Sequence, residues 1–155
     1  MVAAAHPLAA AAGLAMLQKG GTAADAMVAV QLVLGLVEPQ SSGLGGGAFL
    51  LYHDGESGKL ATYDGRETAP AAATGDLFMG ADGEAMKFFD AVIGGRSVGT
   101  PGTVALLAEA HRKHGKLAWA DLFEPAIRLA EEGFTVTTRL NESIADNAES
   151  LFRYP

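Results

Sequence analysis

Apolar residues recur at helical spacing early in the chain and predict a helix there. We expect the helix to begin at Pro7. Proline suits the first helical turn, because the backbone N–H that it lacks would have no hydrogen-bond partner there. Leu8 and Ala12 share one face of this helix. We expect it to end at the pair Gly20 and Gly21.

A second helix follows at once, and its pattern predicts that it is buried. Thr22 and Asp25 have the spacing of a capping box, with aspartate in the place of the usual glutamate. From there to Val37 the residues are apolar on nearly every face, and a helix without a polar face belongs in a core. Pro39 ends it.

The pattern changes from helical to strand-like after the glycine-rich segment 41–47. Residues 48–53 and 60–64 are typical of two strands, and the turn-forming segment 54–58 between them predicts a β-hairpin. Residues 67–96 are polar and rich in glycine, so we expect mostly loop there. The predicted class is therefore α+β, rich in helix and with one hairpin.

The last third of the chain returns to helical spacing and predicts three more helices. The first begins at Pro101 and closes at Gly115, the second spans 119–132, and the third, which is more polar, spans 140–152. One face of the first of these contains four residues, Val104, Leu107, Ala108 and His111. We find no internal repeat and no clear linker, so residues 1–155 are expected to be a single domain or a fragment of one.

Composition and charge narrow the class of protein. The chain has 155 residues, of which 49% are hydrophobic and 19% charged, as in an ordinary globular domain. A net charge of −7 disfavours nucleic acid as a partner, and the lack of cysteine excludes disulfides and thiolate catalysis. The longest apolar stretch, 26–37, falls short of the roughly 18 residues that a membrane span needs. The amino end lacks a basic leader and is not typical of a secretory signal, so either none exists or it was removed, and the compartment stays open.

Residues 95–99 have the Gly-x-Ser-x-Gly pattern that presents a serine nucleophile in some hydrolases. That arrangement needs a core strand before the serine, and an acid and then a histidine well downstream. Here the only later histidines lie on the very next helix. We therefore interpret Ser97 as part of a glycine-shaped helix entry and not as a nucleophile.

The glycines of segment 43–47 could suggest a phosphate cradle. Such loops lead from a strand into a helix, whereas this one leads from a helix into a strand, and no Gly-Lys-Ser/Thr follows. We favour close packing of two backbones as the reason for these glycines, with the approach of a ligand to bare amides as the alternative.

The histidines and carboxylates form no recognisable metal or acid–base motif. His111 and His114 are three residues apart on a predicted helix, but neither a His-Glu-x-x-His motif nor a carboxylate pair completes a metal shell, so we interpret them as solvated. His6 and His53 stand alone and are interpreted as structural. We assign no catalytic residue, no metal ligand and no cofactor to this chain.

Arg66 is the strongest candidate for ligand binding. It follows the second predicted strand, and strand ends often present ligand-binding groups. Its planar guanidinium can bind a carboxylate through two parallel hydrogen bonds. The alternative from the residues alone is a surface salt bridge with Glu67 or Asp64, which would contribute little.

Four stretches together resemble one known family. They are HPLAAAAGLAMLQKGGTAADA, VEPQSSGLGGGAFLLY, DGRETAP and VGTPGTVALLAEAHRKHGKLAWADLFEPAIRLAEEGF. In this order and spacing they resemble the amino-terminal part of the large subunit of γ-glutamyltranspeptidases, also called glutathione hydrolases. The resemblance covers nearly the whole chain.

The resemblance implies an N-terminal nucleophile hydrolase, with part of an α-β-β-α layered fold in this chain. In such enzymes the precursor cuts itself, and the freed threonine of the small subunit attacks a γ-glutamyl amide and passes the acyl group to water or to an amino acid. The arginine of the RETAP-like stretch, here Arg66, holds the α-carboxylate of the γ-glutamyl group. The resemblance also implies a periplasmic or extracellular location.

This chain departs from the family pattern in its length. The family's large subunit is longer, and the threonine nucleophile, the oxyanion-hole glycines and the residues that bind the substrate amine lie in the small subunit. The segment 137–139, Thr-Thr-Arg, lacks the His-x-Ser that follows the family's cleavage site, so we interpret it as a helix cap. We expect an amino-terminal fragment that contributes Arg66 and scaffold, is inactive alone, and self-associates through exposed apolar surface.

Two other functions stay open at this point. One is a cephalosporin or glutaryl acylase, which shares the self-cleaving scaffold but accepts an acyl group without an α-amino acid head. The other is a non-catalytic module that binds an amino acid or peptide.

Overall fold

The computed structural model describes residues 1–153 and has a helix-rich α+β architecture. Within those residues there are seven α-helices and two strands, namely α1 (Pro7–Gln18), α2 (Ala23–Val37), β1 (Ala48–His53), β2 (Leu60–Gly65), α3 (Phe88–Val92), α4 (Thr103–His114), α5 (Glu124–Glu132), α6 (Thr138–Asp146) and α7 (Ala148–Leu151). Short 3₁₀ turns, Gly95–Ser97 and Trp119–Leu122, precede α4 and α5. The predicted class and the predicted hairpin are confirmed.

The first two helices begin as local sequence rules require. His6 precedes α1, and its Nδ1 accepts a hydrogen bond from the backbone N–H of Leu8 at 3.1 Å. At the start of α2, Oγ1 of Thr22 accepts from the backbone N–H of Asp25, and Oδ2 of Asp25 accepts from that of Thr22 at 2.7 Å. The predicted capping box and the structural interpretation of His6 are confirmed.

Helix α2 lies at the centre of the hydrophobic core. Its Val28 and Val33 are fully buried, as is Met16 of α1, and α2 also contacts α4 and α5. Burial of side chains of this size stabilises the fold by about 1.5–3 kcal/mol each. The two helices approach closely at Gly13, where a Cβ would lie 2.6 Å from Cγ2 of Val30. The prediction that α2 is buried is confirmed.

The hairpin packs one face on the helices and leaves the other exposed. Strands β1 and β2 are antiparallel, and Leu50 opposite Tyr63 lies on the inner face, half-buried against the core. On the outer face, Phe49, Leu51 and Leu60 are all more than 60% exposed. This outer apolar face has no partner among residues 1–153.

Helix α4 differs from the prediction in its first residue and in the face that is buried. It starts at Thr103, and the N–H groups of Gly102 and Thr103, which have no partner within the helix, both donate to the carbonyl of Gly46. Its buried face consists of four residues, Thr103, Leu106, Leu107 and Ala110. Val104, which the hydrophobic pattern placed inside, is 44% exposed. The face is set by the contacts of α4 with α2 and the hairpin, which periodicity alone did not reveal.

The last two predicted helices are each interrupted. The predicted helix 119–132 divides into a 3₁₀ turn and α5, because Pro125 in the first turn of α5 has no N–H with which to continue the preceding turn. The predicted helix 140–152 begins earlier, at Thr138, and is interrupted at Asn147, whose side-chain amide donates to the carbonyl of Ser143.

Candidate functional site

Arg66 lies directly after β2, at the surface and with a free guanidinium. Its backbone N–H donates to Oδ1 of Asp64 at 3.0 Å, which holds the chain as it leaves the strand. Among residues 1–153, the side chain of Arg66 has no hydrogen-bond or salt-bridge partner. The alternative prediction, a surface salt bridge with Glu67 or Asp64, is therefore wrong. The guanidinium is thus available to a ligand.

The backbone around Arg66 is packed too closely for side chains. A Cβ on Gly47 would lie 2.8 Å from Cα of Arg66 and 2.6 Å from the backbone nitrogen of Glu67. A Cβ on Gly102 would overlap the carbonyl oxygen of Gly65, at the end of β2. Close packing, the favoured interpretation of segment 43–47, is therefore confirmed for Gly47 and is wrong for Gly43 and Gly45, where a Cβ would meet nothing within 4 Å. The packing at Gly47 and Gly102 holds the chain where it leaves β2.

An open groove of about 310 Å³ extends from Arg66 toward the segment before α4. The two sides of the groove are joined by an antiparallel bridge in which Thr100 donates to the carbonyl of Thr68 at 2.8 Å and Thr68 donates back at 3.4 Å. Arg96 also lines the groove. Sequence reasoning missed Arg96, although it lies within the segment 95–99 that was considered for its serine.

Ser97 also lines this groove, and its hydroxyl is used within the loop. The Oγ lies 2.6 Å from the carbonyl oxygen of Val92 and 3.1 Å from that of Gly94. The residues before it form α3 and a glycine turn, with Gly94 at φ +98°, and not the strand that a nucleophile elbow needs. These contacts agree with the interpretation of Ser97 as a residue that shapes the helix entry.

His111 and His114 are not solvated, so that prediction is wrong. Nε2 of His111 lies 2.9 Å from the carbonyl oxygen of Leu117. His114 stacks on the ring of Tyr52 at a centroid distance of 3.8 Å, and its Nε2 lies 2.7 Å from the hydroxyl of Tyr63. The two imidazoles therefore join α4 to different neighbours. Among the described residues, no three His, Cys, Asp or Glu side chains are grouped as metal ligands.

Asp25 has a larger role than the predicted helix cap. Its fully buried carboxylate also accepts hydrogen bonds from the backbone N–H groups of Lys116, at 3.0 Å, and Leu117, at 3.4 Å. Oδ1 of Asp25 lies 3.5 Å from Nε2 of His111. The carboxylate thus joins the start of α2 to the chain that leaves α4, a role that no local pattern signals.

A second buried carboxylate, that of Glu38, joins the end of α2 to α6. Its Oε2 accepts from the side-chain amide of Gln40 at 2.7 Å and lies 3.5 Å from a guanidinium nitrogen of Arg139. Arg139 also donates to Oγ of Ser41 at 3.1 Å. Thr137 caps α6 by accepting from the N–H of Leu140, so the interpretation of segment 137–139 as a cap is confirmed.

Comparisons with known proteins agree with this architecture. The family model described as gamma-glutamyltranspeptidase matches residues 9–155. The glutathione hydrolase proenzyme of Bacillus subtilis (strain 168) is 46% identical over 153 residues, which are 99% of this chain and 26% of that protein. The γ-glutamyltranspeptidase of Helicobacter pylori has a TM-score of 0.93 at 34% identity, covering 99% of this chain and 44% of that one. The cephalosporin acylase of Bacillus halodurans has a TM-score of 0.75 at 32% identity, covering 96% and 27%.

The fold of the described residues thus matches part of the N-terminal nucleophile hydrolases of the γ-glutamyltranspeptidase type. This chain belongs to the γ-glutamyltranspeptidase family. It spans about a quarter of the length of the curated relatives it matches, since it covers 26% of the Bacillus subtilis protein. Within residues 1–153, no helix is both long enough and apolar enough to cross a membrane.

Proposed function

We propose that this chain is the amino-terminal part of the large subunit of a γ-glutamyltransferase, which cleaves the γ-glutamyl amide of glutathione and related compounds and transfers the group to water or to amino acids. The proposal is supported above all by the free guanidinium of Arg66 at the edge of an open groove. Family membership supports the reaction class. The role of Arg66 is an expectation that comes from the resemblance of its RETAP stretch to that family.

Arg66 would hold the α-carboxylate of the γ-glutamyl group. A guanidinium can donate two parallel hydrogen bonds to a carboxylate, and this geometry fixes the orientation of the donor as well as its position. Such orientation is the chain's contribution to catalysis, because an amide held in one position meets a nucleophile far more often than a free one. The packing of Gly47 against Arg66 supports this role, because it limits movement of the backbone that carries the guanidinium.

The threonine nucleophile would be supplied by a small subunit from the same precursor. The exposed outer face of the hairpin supports this arrangement, because a two-stranded sheet with an uncovered apolar face is rarely stable alone. In the complete enzyme the hairpin would be one part of an α-β-β-α layered fold. We propose a periplasmic or extracellular location on the same family basis, and no activity for the isolated chain.

The test uses the protein expressed from its complete reading frame, assayed with a γ-glutamyl anilide. We expect Arg66→Gln to raise KM by roughly tenfold or more, because a charge-assisted hydrogen bond contributes about 1.5–3 kcal/mol. Arg128→Gln, which removes an exposed arginine from α5, is the matched control and should leave KM unchanged. An unchanged KM in Arg66→Gln would refute the assignment.

The second candidate is an acylase related to the cephalosporin acylases. The similarity to the Bacillus halodurans enzyme, with a TM-score of 0.75, supports this candidate. The TM-score with the Helicobacter pylori transpeptidase is higher, at 0.93. A glutaryl amide retains the carboxylate that Arg66 would bind and differs from a γ-glutamyl amide only in lacking the α-amino group, so the two substrates compare recognition of that amino group. Turnover of glutaryl amides in preference to γ-glutamyl amides would therefore support the acylase, and ligand binding without turnover of either would support a non-catalytic module.

A further inference from the structure

The groove beside Arg66 is also lined by a second arginine, Arg96, which borders a neighbouring cavity near Met86 as well. The two arginines are 30 residues apart in sequence, and the bridge between Thr68 and Thr100 brings their segments together. The chain as a whole has a net charge of −7, which repels anions in general. Arg66 and Arg96 line this groove together with one acidic residue, Glu67, so the groove has a local excess of positive charge that favours an anionic ligand.

Arg96 is held in the wall of the groove by one of its nitrogens. Its Nη1 lies 3.1 Å from the carbonyl oxygen of Leu77, another residue that lines the groove, and 3.1 Å from Sδ of Met86. A guanidinium has five N–H donors, and within residues 1–153 the hydrogen bonds of Arg96 use only Nη1. The donors on Nε and Nη2 are therefore available, on a side chain that is held through Nη1.

The carboxylate of Glu67 does not neutralise either arginine. It lies against glycine backbone, since a Cβ on Gly46 would be 3.4 Å from Oε1 and one on Gly99 would be 3.0 Å from Cβ of Glu67. Within residues 1–153, neither Arg66 nor Arg96 forms a salt bridge. The groove thus offers two guanidinium groups for carboxylates.

Building on the proposed function, we propose that Arg96 is a specificity-determining residue that binds the second carboxylate of a γ-glutamyl peptide. Such a peptide has one carboxylate on the glutamyl head, assigned to Arg66, and another at its carboxyl terminus. A γ-glutamyl amide with an uncharged leaving group has only the first. The site would therefore prefer γ-glutamyl peptides as donors.

The test compares two ligands that differ only in the second carboxylate. They are the ketomethylene analogue of γ-glutamylglycine, in which CH₂ replaces the cleavable amide nitrogen, and the same compound with its terminal carboxylate converted to a primary amide. Dissociation constants are measured by calorimetry for the protein expressed from its complete reading frame and for its Arg66→Gln, Arg96→Gln, Arg96→Lys and Arg128→Gln variants.

We expect the wild type to bind the acid about three- to tenfold more tightly than the amide, as for a charge-assisted contact in an open groove. Arg96→Gln should abolish this preference while leaving the affinity for the amide unchanged, and Arg96→Lys, which retains the charge, should keep part of it. Arg128→Gln should behave as wild type.

The outcomes separate this inference from the proposed function. Suppose that Arg66→Gln weakens the binding of both ligands, but the ratio of the dissociation constants of the acid and the amide is the same in wild type and Arg96→Gln. The role of Arg96 is then refuted and that of Arg66 stands. If Arg66→Gln has no effect, or neither ligand binds the wild type, both are refuted. If Arg96→Gln does not fold, Arg96→Lys decides: a reduced preference for the acid supports carboxylate binding by Arg96, and an unchanged preference refutes it.

Discussion

The backbone N–H of Lys116 donates to both carboxylate oxygens of Asp25, at distances of 3.2 and 3.0 Å, although the two residues are 91 positions apart. The same carboxylate caps α2 by accepting from Thr22. Asp25 therefore combines a local role in starting a helix with a long-range role in closing the fold. Its contribution to stability should exceed that of an ordinary helix cap.

We expect Asp25→Asn to lower the free energy of unfolding by about 1–3 kcal/mol, because the amide places donors against backbone N–H groups that are already donors. Urea unfolding followed by circular dichroism measures this change. Asp146→Asn, at an exposed position of α6, removes the same charge and is expected to change stability by less than about 0.5 kcal/mol. Equal effects of the two substitutions would contradict the role assigned to Asp25.

Gly102 should not tolerate a side chain. A Cβ there would overlap the carbonyl oxygen of Gly65, so Gly102→Ala must push β2 away from the start of α4 at a cost of about 1–3 kcal/mol. Thermal unfolding provides the measurement. The matched control is Gly55→Ala, in the hairpin turn, where a Cβ would meet nothing within 4 Å. A melting temperature for Gly102→Ala at or above that of the control would show that the close approach is absent in solution.

Glu109 should titrate at unusually low pH. Hydrogen bonds from Arg112 and Lys113 lower the pKa of this exposed carboxyl from 4.5 to about 2. Because the folded-state pKa is below the unfolded value, the contribution of these contacts is present above pH 4.5 and is lost as the pH falls toward 2. NMR titration of the Glu109 carboxyl carbon measures this pKa. It should rise toward 4.5 in Arg112→Gln and in high salt, and a pKa that is insensitive to both would contradict the role of these two cations.

The outer face of the hairpin should make the isolated chain self-associate. Leu51 at its centre is 70% exposed and lies beside Phe49 and Leu60 on the same face. We expect Leu51→Lys to shift the chain toward the monomer in sedimentation velocity experiments, because a charge cannot be buried there without a partner. Ile127→Lys, on an exposed site of α5, adds the same charge and should leave association unchanged. A wild-type chain that stays monomeric at every concentration would refute the prediction.

Several features could be predicted from the sequence because their causes are local. The capping box needs only Thr22 and Asp25, and Thr137 caps α6 through a bond to the N–H three residues later. The hairpin depends on alternation and on a turn in which Oδ1 of Asp54 accepts from the N–H of Ser57, a contact that also lowers the pKa of Asp54. The sequence also contains the cause of the division within the predicted helix 119–132, namely Pro125. The prediction followed the hydrophobic pattern instead and gave one continuous helix.

The candidate site was predictable only in part. Arg66 could be singled out because it follows a strand in a stretch that resembles a known family. The groove in which it lies could not, because the opposite wall comes from Arg96 and its neighbours, joined through the pairing of Thr68 with Thr100. The same limit explains His114, whose stacking on Tyr52 depends on where α4 crosses the hairpin.

The sequence alone was sufficient to predict α1, α2, the hairpin, the burial of α2 and the family, and it singled out Arg66 as the candidate for a carboxylate. Three features depend on how distant segments pack, namely the buried face of α4, the contact of Asp25 with Lys116, and the groove that Arg66 and Arg96 share. The difference lies in the range of the interactions. Caps, turns and periodicity act within a few residues, whereas a groove or a shared carboxylate is created when distant segments pack together.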